Sequence, residues 1–236
     1  MKNSISGLLN LFQYSGFILS SYNKRPRYHF KPHFLSTHSI TLNFIKEKSN
    51  VLDIGCNNGE FINYIKKKKQ CKVLGIDKIK KKNVISCDLE KSLPNINYNN
   101  FDYIIMLDVI EHLNSPEFFL KNLKKKLKYN KKVKIIFSTP NIAFFPMRIS
   151  LLFGYFNYAS KGILDFTHKR LFTFDSFRNL LKTYKFKTVG LFGVPAPFPL
   201  VIGRNFFSIF LLKANNIFIK FSKSLFSFQM LFITRL

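Results

Sequence analysis

Tryptophan is absent from this chain, cysteine occurs three times, and 12 acidic residues face 38 Lys and Arg in 236 residues. Each scarcity excludes something. Cys56, Cys71 and Cys87 are odd in number and lack paired zinc spacing, which argues against a disulfide scaffold or zinc ribbon and for a reducing cytoplasm. Long apolar runs are missing too. The stretch 209–212 falls far short of the roughly 20 residues a bilayer requires, so no spanning helix is predicted. Near the N-terminus, 8–19 is apolar but interrupted by Asn10, Gln13 and Ser15, with no small-residue cleavage site after it. A secretory signal is therefore not expected.

What is present suits one α/β domain with a lid or terminal extension, because 47% of the residues are hydrophobic. The formal charge of +26 has two readings. Excess positive charge attracts nucleic acid or an anionic membrane surface. Alternatively, abundant Lys, Asn, Ile and Phe without Trp are what an AT-rich genome imposes on any protein. The lysine runs 66–69, 80–82 and 124–126 also fall at helix ends and turns, where charge runs are usually just solvated.

Residues 1 to about 50 read as helices carrying Arg25, Arg27, His29, His33 and His38, broken at Pro26 and Pro32. Short apolar strands are expected at 50–54, 72–77, 84–87, 101–107 and 133–138, with helices at 60–69 and 116–127. This alternation predicts a parallel sheet with right-handed crossovers and a ligand outside the carboxyl ends of the strands. Beyond it come an aromatic-rich insertion at 150–173, a helix at 175–184, a strand at 186–192 and a last, antiparallel strand at 226–234. The expected organisation is a helical segment over 1–45, a core over 46–192 with a lid insertion at about 142–173, and an extension over 193–236. In that extension, 206–228 alternates Phe and Ile with Lys213, Lys220 and Lys223. Such a pattern suits a helix packed on the sheet or one resting on an anionic membrane.

The most specific stretch is Val51-Leu52-Asp53-Ile54-Gly55-Cys56-Asn57-Asn58-Gly59-Glu60. A glycine turn between a buried strand and a helix lets backbone N–H groups approach a ligand closely. A dinucleotide G-x-G-x-x-G would need glycine at 57 and 60, and a P-loop would need a following Gly-Lys-Ser/Thr; neither is present. The remaining pattern, Asp-x-Gly-x-x-x-Gly, resembles the first turn of class I S-adenosylmethionine methyltransferases. That resemblance implies a Rossmann-like, mostly parallel seven-stranded sheet with an antiparallel last strand. It also implies cofactor contacts from Asp53, Gly55, Cys56, Asn57, Asn58 and Gly59, from Asp77 and Lys78, from Asp88 and Leu89, and from Leu107 and Asp108. Asp77, at a strand end, can accept from the vicinal ribose hydroxyls, Asp88 from the adenine amine, and Leu89 can lie against the purine. The Asn57-Asn58 pair departs from the family, which more often has a glycine there.

The resemblance extends through Phe101-Asp102-Tyr103-Ile104-Ile105-Met106-Leu107-Asp108-Val109-Ile110-Glu111-His112-Leu113, Ser138-Thr139-Pro140-Asn141 and Gly162-Ile163-Leu164-Asp165-Phe166-Thr167-His168-Lys169-Arg170-Leu171-Phe172-Thr173. These are similar to a bacterial branch associated with cell-surface polysaccharide gene clusters. Asp108, Glu111 and His112 share one face if a helix follows the fourth strand. By analogy with metal-binding O-methyltransferases of ubiquinone and small-RNA ends, these three and His168 would hold Mg²⁺, Mn²⁺ or Zn²⁺. Two other readings stay open: Glu111, His112 and His168 as a metal-free catalytic group with a histidine base, or Asp108 and Glu111 as a capping box of purely structural value. Arg148, Arg170, Phe153, Tyr155, Phe156 and Tyr158 are candidates for an acceptor lid, with core packing as the alternative for the aromatics.

The expected function is S-adenosylmethionine-dependent O-methylation of a sugar or other small hydroxylated acceptor, free or lipid-linked, in surface-glycan biosynthesis. RNA ribose 2′-O-methylation and a non-catalytic partner protein with the same fold are the alternatives. The expected location is the cytoplasm, with peripheral contact at the inner face of the membrane as a variant.

Overall fold

The computed structural model describes residues 34–81 and 84–236. Apart from the stretch around His38, the N-terminal helices expected before residue 50, with Arg25, Arg27, His29 and His33, lie outside the described residues. The first described element is α1, Thr37–Phe44, closed by a reciprocal cap in which Ser36 and Ser39 satisfy each other's backbone N–H groups.

Seven strands form one sheet: β1 Asn50–Ile54, β2 Lys72–Asp77, β3 Val84–Ser86, β4 Tyr103–Leu107, β5 Lys134–Pro140, β6 Lys187–Val194 and β7 Gln229–Arg235. Their spatial order is β3-β2-β1-β4-β5-β7-β6. The first five run parallel, whereas β7 is antiparallel to both β5 and β6. This is the Rossmann-like class I methyltransferase architecture expected. The order reverses at β1, and the crevice beside β1 and β4 is where an open α/β sheet places its ligand.

Helices α2 (Glu60–Lys69), α3 (Pro116–Lys126) and α5 (Phe174–Thr183) cover the sheet. On α2, Phe61, Ile62 and Ile65 are buried while lysines fill the last turn, where cations complement the helix dipole. Helix α3 starts cleanly because Ser115 accepts from Phe118 N–H and Pro116 occupies the first turn. One apolar layer joins Leu52, Ile104, Phe137 and Phe232 to Phe119, Leu123 and Phe177; the other joins Val51, Ile105 and Ile136 to Phe61 and Ile65. A smaller cluster of Phe144, Met147, Ile163, Leu164, Ala196 and Phe228 anchors the insertion, whose helix α4 spans Phe145–Leu152. Helix α6, Phe206–Phe221, lies outside the sheet before the chain returns as β7.

One local expectation fails. The chain after β4 does not enter a helix in which Asp108 caps and Glu111 follows in the first turn. Asp108 takes a left-handed φ of 57°, and only a 3-10 turn, Ile110–His112, follows, with Val109 before it and no side-chain cap. The capping-box reading of Asp108 and Glu111 therefore falls.

Candidate active site

A cavity of about 730 Å³ opens at the carboxyl ends of β1 to β4. Asp53, Gly55, Cys56, Asn57 and Asn58 line it from the first turn, Asp77 and Lys78 from the second, Asp88 and Leu89 from the third, and Leu107 and Asp108 from the fourth. Gly59 does not line it; with φ 73° it shapes the turn as the residue before α2. Gly55 is required sterically as well as conformationally. Its φ is 78°, and a Cβ there would stand 2.4 Å from a methyl of Val109. Asn57, where a glycine is more usual, holds a left-handed φ of 46°, which asparagine tolerates better than most residues.

Asp77 ties this turn together. Its Oδ2 accepts Asn57 N–H at 2.7 Å and its Oδ1 accepts Ile79 N–H at 3.0 Å, and each carboxylate oxygen keeps a further lone pair. Lys81 donates to the Asn58 side chain across the same turn. Buried Asp53 is pushed up to about 7, first by desolvation and then by the charge of Asp77. Burial pushes the Cys56 thiol up to about 12, so it stays neutral and inert.

The far wall is built by two segments distant in sequence, of which His112, Leu113, Thr167 and Lys169 line the cavity while the buried Glu111 and His168 do not. The main-chain carbonyl of Glu111 accepts Lys169 N–H at 2.8 Å and Arg170 N–H at 3.1 Å, which staples the 165–170 loop to the 110–112 turn. Asp165 stiffens that loop by accepting the Thr167 N–H at 2.8 Å and hydroxyl at 2.6 Å. As a result Glu111, His112 and His168 present one ligand atom each, all within 4.8 Å of one another. The His112 and His168 rings meet edge to face with centroids 4.8 Å apart.

The tautomers follow from the backbone. His112 Nδ1 lies 3.2 Å from the Thr167 carbonyl and His168 Nδ1 lies 2.8 Å from the Ile163 carbonyl. A carbonyl only accepts, so each Nδ1 carries hydrogen, and in the neutral imidazole the lone pair sits on Nε2. Glu111 is fully buried, and neither carboxylate oxygen has a hydrogen-bond partner among the described residues. Burial, followed by the charge of Asp108, holds its pKa well above the carboxylate range, and Asp165 adds in the same direction. His112 is shifted down, by burial and then by His168, against the opposing pull of the Thr167 carbonyl.

Asp108 does not join this group. Its Oδ1 accepts the Ser138 hydroxyl and its Oδ2 the Gln229 amide, both at 2.7 Å, so it braces β4 against β5 and β7 while lining the cavity. The expected four-residue ligand set is therefore reduced to three. Neither arginine of the expected lid lines the cavity: Arg170 pairs with Glu117 at 2.5 Å and Arg148 donates to the Ala143 carbonyl at 2.7 Å. Phe153, Tyr155, Phe156 and Tyr158 are exposed, so the core alternative for them does not hold.

Sequence reasoning passed over Val109, Leu113, Glu90 and Lys169, which also line the cavity. Glu90 accepts from Asn114 N–H and its amide at 2.8 and 2.9 Å and pairs with Lys169 at 3.3 Å. The adjacency of Glu90 to the Asp88-Leu89 pair was the available signal.

A family profile described as a methyltransferase domain matches residues 27–191. The chain belongs to this family of S-adenosylmethionine-dependent methyltransferases. Solved methyltransferases share the fold. An S-adenosylmethionine-dependent methyltransferase from Archaeoglobus fulgidus superposes with a TM-score of 0.55 at 23% identity, covering 84% of this chain and 90% of that one. One from Aquifex aeolicus gives 0.53 at 16% identity over 85% and 89% of the two chains. The Burkholderia thailandensis 1,6-didemethyltoxoflavin N1-methyltransferase, solved with its acceptor and S-adenosylhomocysteine, gives 0.53 at 13% identity over 84% and 76%. No curated protein matches the sequence. The methyltransferase is an enzyme, which removes the non-catalytic alternative.

Proposed function

We propose that this methyltransferase transfers the sulfonium methyl to a hydroxyl of a sugar or similar hydroxylated acceptor, with Glu111, His112 and His168 forming the acceptor end of the site. The observation that carries this reading is the His112–His168 pair, whose Nδ1–H groups are held by backbone carbonyls, with His112 lining the cavity and the buried His168 in ring contact with it. The sulfonium methyl is already electrophilic, so the protein must align the hydroxyl oxygen with the S–C bond, exclude water and receive the hydroxyl proton. In this reading Asp77 and Asp88 fix the ribose and adenine, and a histidine Nε2 takes the proton as the O–C bond forms. General-base help of this kind supplies roughly 10² to 10⁴-fold.

The same three residues fit a divalent cation: a buried, unpartnered carboxylate and two free Nε2 atoms are a donor set for Mg²⁺, Mn²⁺ or Zn²⁺. When bound, such an ion would lower the hydroxyl pKa and orient a vicinal diol. The carbonyl bonds to both Nδ1 atoms are what metal-ligating imidazoles usually require behind them.

The surface-glycan setting rests on the sequence likeness of 101–113, 138–141 and 162–173. Two of the lysine runs give RNA ribose no support, although Lys78 and Lys169 do line the cavity. Lys66 to Lys69 and Lys124 to Lys126 end α2 and α3, which run back to the sheet edge opposite the cavity; Lys69 carbonyl meets Lys48 there, beside the start of β1. Incubation with labelled S-adenosylmethionine and a panel of nucleotide sugars, free glycans and RNA tests the reading. Label recovered as a sugar methyl ether supports it, and label on nitrogen or on RNA alone refutes it.

A further inference from the structure

Helix α6 is turned with its phenylalanines outward. Its inward stripe is Ser208, Leu212, Asn215 and Ile219, spaced for one helix face, and two of these are polar. Asn215 fixes the orientation: its Oδ1 accepts Ala196 N–H and its Nδ2 donates to the Phe226 carbonyl, both at 2.9 Å. Ser208 shares the Asn205 cap at the helix start. The opposite stripe is Phe206, Phe210, Lys213, Ile217 and Phe221, and Phe206 and Phe221 are 88% and 81% exposed. A helix that only covered the sheet would carry the reverse pattern.

This apolar face continues to the cavity. Phe218 of α6 contacts Phe226, and Phe226 contacts Phe145 at the start of α4, with centroids 5.2 and 6.1 Å apart. At the other end of α4, Leu151 and Leu152 are exposed, and the following loop folds back through Tyr155 N–H to the Ser150 carbonyl at 2.8 Å. From that loop Phe156 meets Tyr158 and Tyr158 stacks on Phe166, with centroids 5.7 and 6.5 Å apart. Phe166 precedes Thr167, which lines the cavity beside His112. Exposed apolar surface on this scale is uncommon on a soluble monomer.

Charge identifies the occupant. No acidic residue occurs in 118–164 or in 176–236, so the charges on α4, its loop and α6 are all basic: Arg148, Lys161, Arg204, Lys213 and Lys220, with Lys223 just beyond. Aliphatic Leu151, Leu152 and Ile217 among the rings suit acyl chains rather than stacked bases. Among the described residues no helix is long and apolar enough to cross a membrane.

We infer that this face docks the methyltransferase on an anionic lipid surface, and that the ladder Phe156, Tyr158, Phe166 receives the hydroxylated headgroup of an amphiphilic acceptor at the cavity mouth. The inference rests on the hydroxyl-acceptor reading for its second half only. Lysines snorkel around the buried rings while the phenylalanines enter the headgroup boundary.

Flotation of the full chain with phosphatidylcholine vesicles, alone and mixed with phosphatidylglycerol, is the test. The expected result is binding to the mixed vesicles only, reduced about a hundredfold by Lys213→Gln/Lys220→Gln/Lys223→Gln, since each basic residue adds to attraction at an anionic surface. Phe210→Glu/Phe221→Glu should abolish it. Both residues point outward, and unchanged circular dichroism with unchanged calorimetric binding of S-adenosylhomocysteine checks the fold. Absence of flotation with cofactor binding intact overturns this inference and leaves the methyl-transfer reading standing; absence of cofactor binding strikes that reading instead. A dimer dispersed by Phe210→Glu, or single-stranded RNA bound through the same residues without vesicle binding, assigns the face to another occupant and overturns the lipid surface.

Discussion

His112 and His168 sit edge to face, 4.8 Å between ring centroids, each with Nδ1 turned to a backbone carbonyl and Nε2 turned away from it. The staple from Glu111 carbonyl to the Lys169 and Arg170 amides sets this spacing. Separate replacement of either histidine by alanine should lower turnover by roughly 10² to 10⁴-fold. S-Adenosylmethionine affinity should change little, and calorimetry on the same variants separates the two effects.

Base and cation make opposite forecasts. With a histidine base, chelator leaves the rate alone, and the rate rises with pH through a pKa below the ordinary histidine value, because burial and His168 disfavour the His112 imidazolium. With a cation, chelator suppresses turnover, added Mg²⁺, Mn²⁺ or Zn²⁺ restores it, and Glu111→Gln weakens the restoration. A stopped assay with and without chelator across pH 5 to 9 distinguishes them.

Asp77→Ala should weaken S-adenosylmethionine and S-adenosylhomocysteine alike, because both carry the same ribose and Asp77 also holds the Asn57 amide. A loss of about 10- to 100-fold is expected for a charge-assisted contact together with the turn it orders. Calorimetry showing wild-type affinity for both ligands would remove Asp77 from the cofactor site.

Asp53 couples folding to pH. Its pKa is raised in the folded protein from 3.8 to about 7, so the folded state favours the protonated acid. The stability this provides is fully present below pH 3.8 and is lost as pH rises through 7. Asp53→Asn should therefore gain stability relative to the unliganded wild type across that window, by an amount of order 4 kcal/mol at most. Denaturant midpoints of the two proteins from pH 4 to 8 measure the difference; parallel curves would show that Asp53 titrates normally.

The sheet was legible because its strands are short apolar runs ending in Asp53, Asp77, Asp88 and Asp108. Buried parallel strands need no partner-specific side chains to be read, and β1, β2 and α2 fall at the expected residues. The cavity residues followed from the same strand ends. Asp108 was placed on one helix face with Glu111 and His112 because their i, i+3, i+4 spacing fits a helix, whereas the residue takes a left-handed turn and bonds Ser138 and Gln229, partners that only the folded sheet supplies. The outward turn of α6 was equally hidden. Its pattern of Phe and Lys permits either face to be buried, and Asn215 decides between them through contacts with Ala196 and Phe226.

The most direct test of the account is a crystal structure with S-adenosylhomocysteine bound. It should place the ribose on Asp77, the adenine beside Asp88 and Leu89, and the sulfur facing Glu111, His112 and His168 with room for an acceptor hydroxyl between. A sulfur turned away from the two imidazoles, toward any other wall of the cavity, would contradict it.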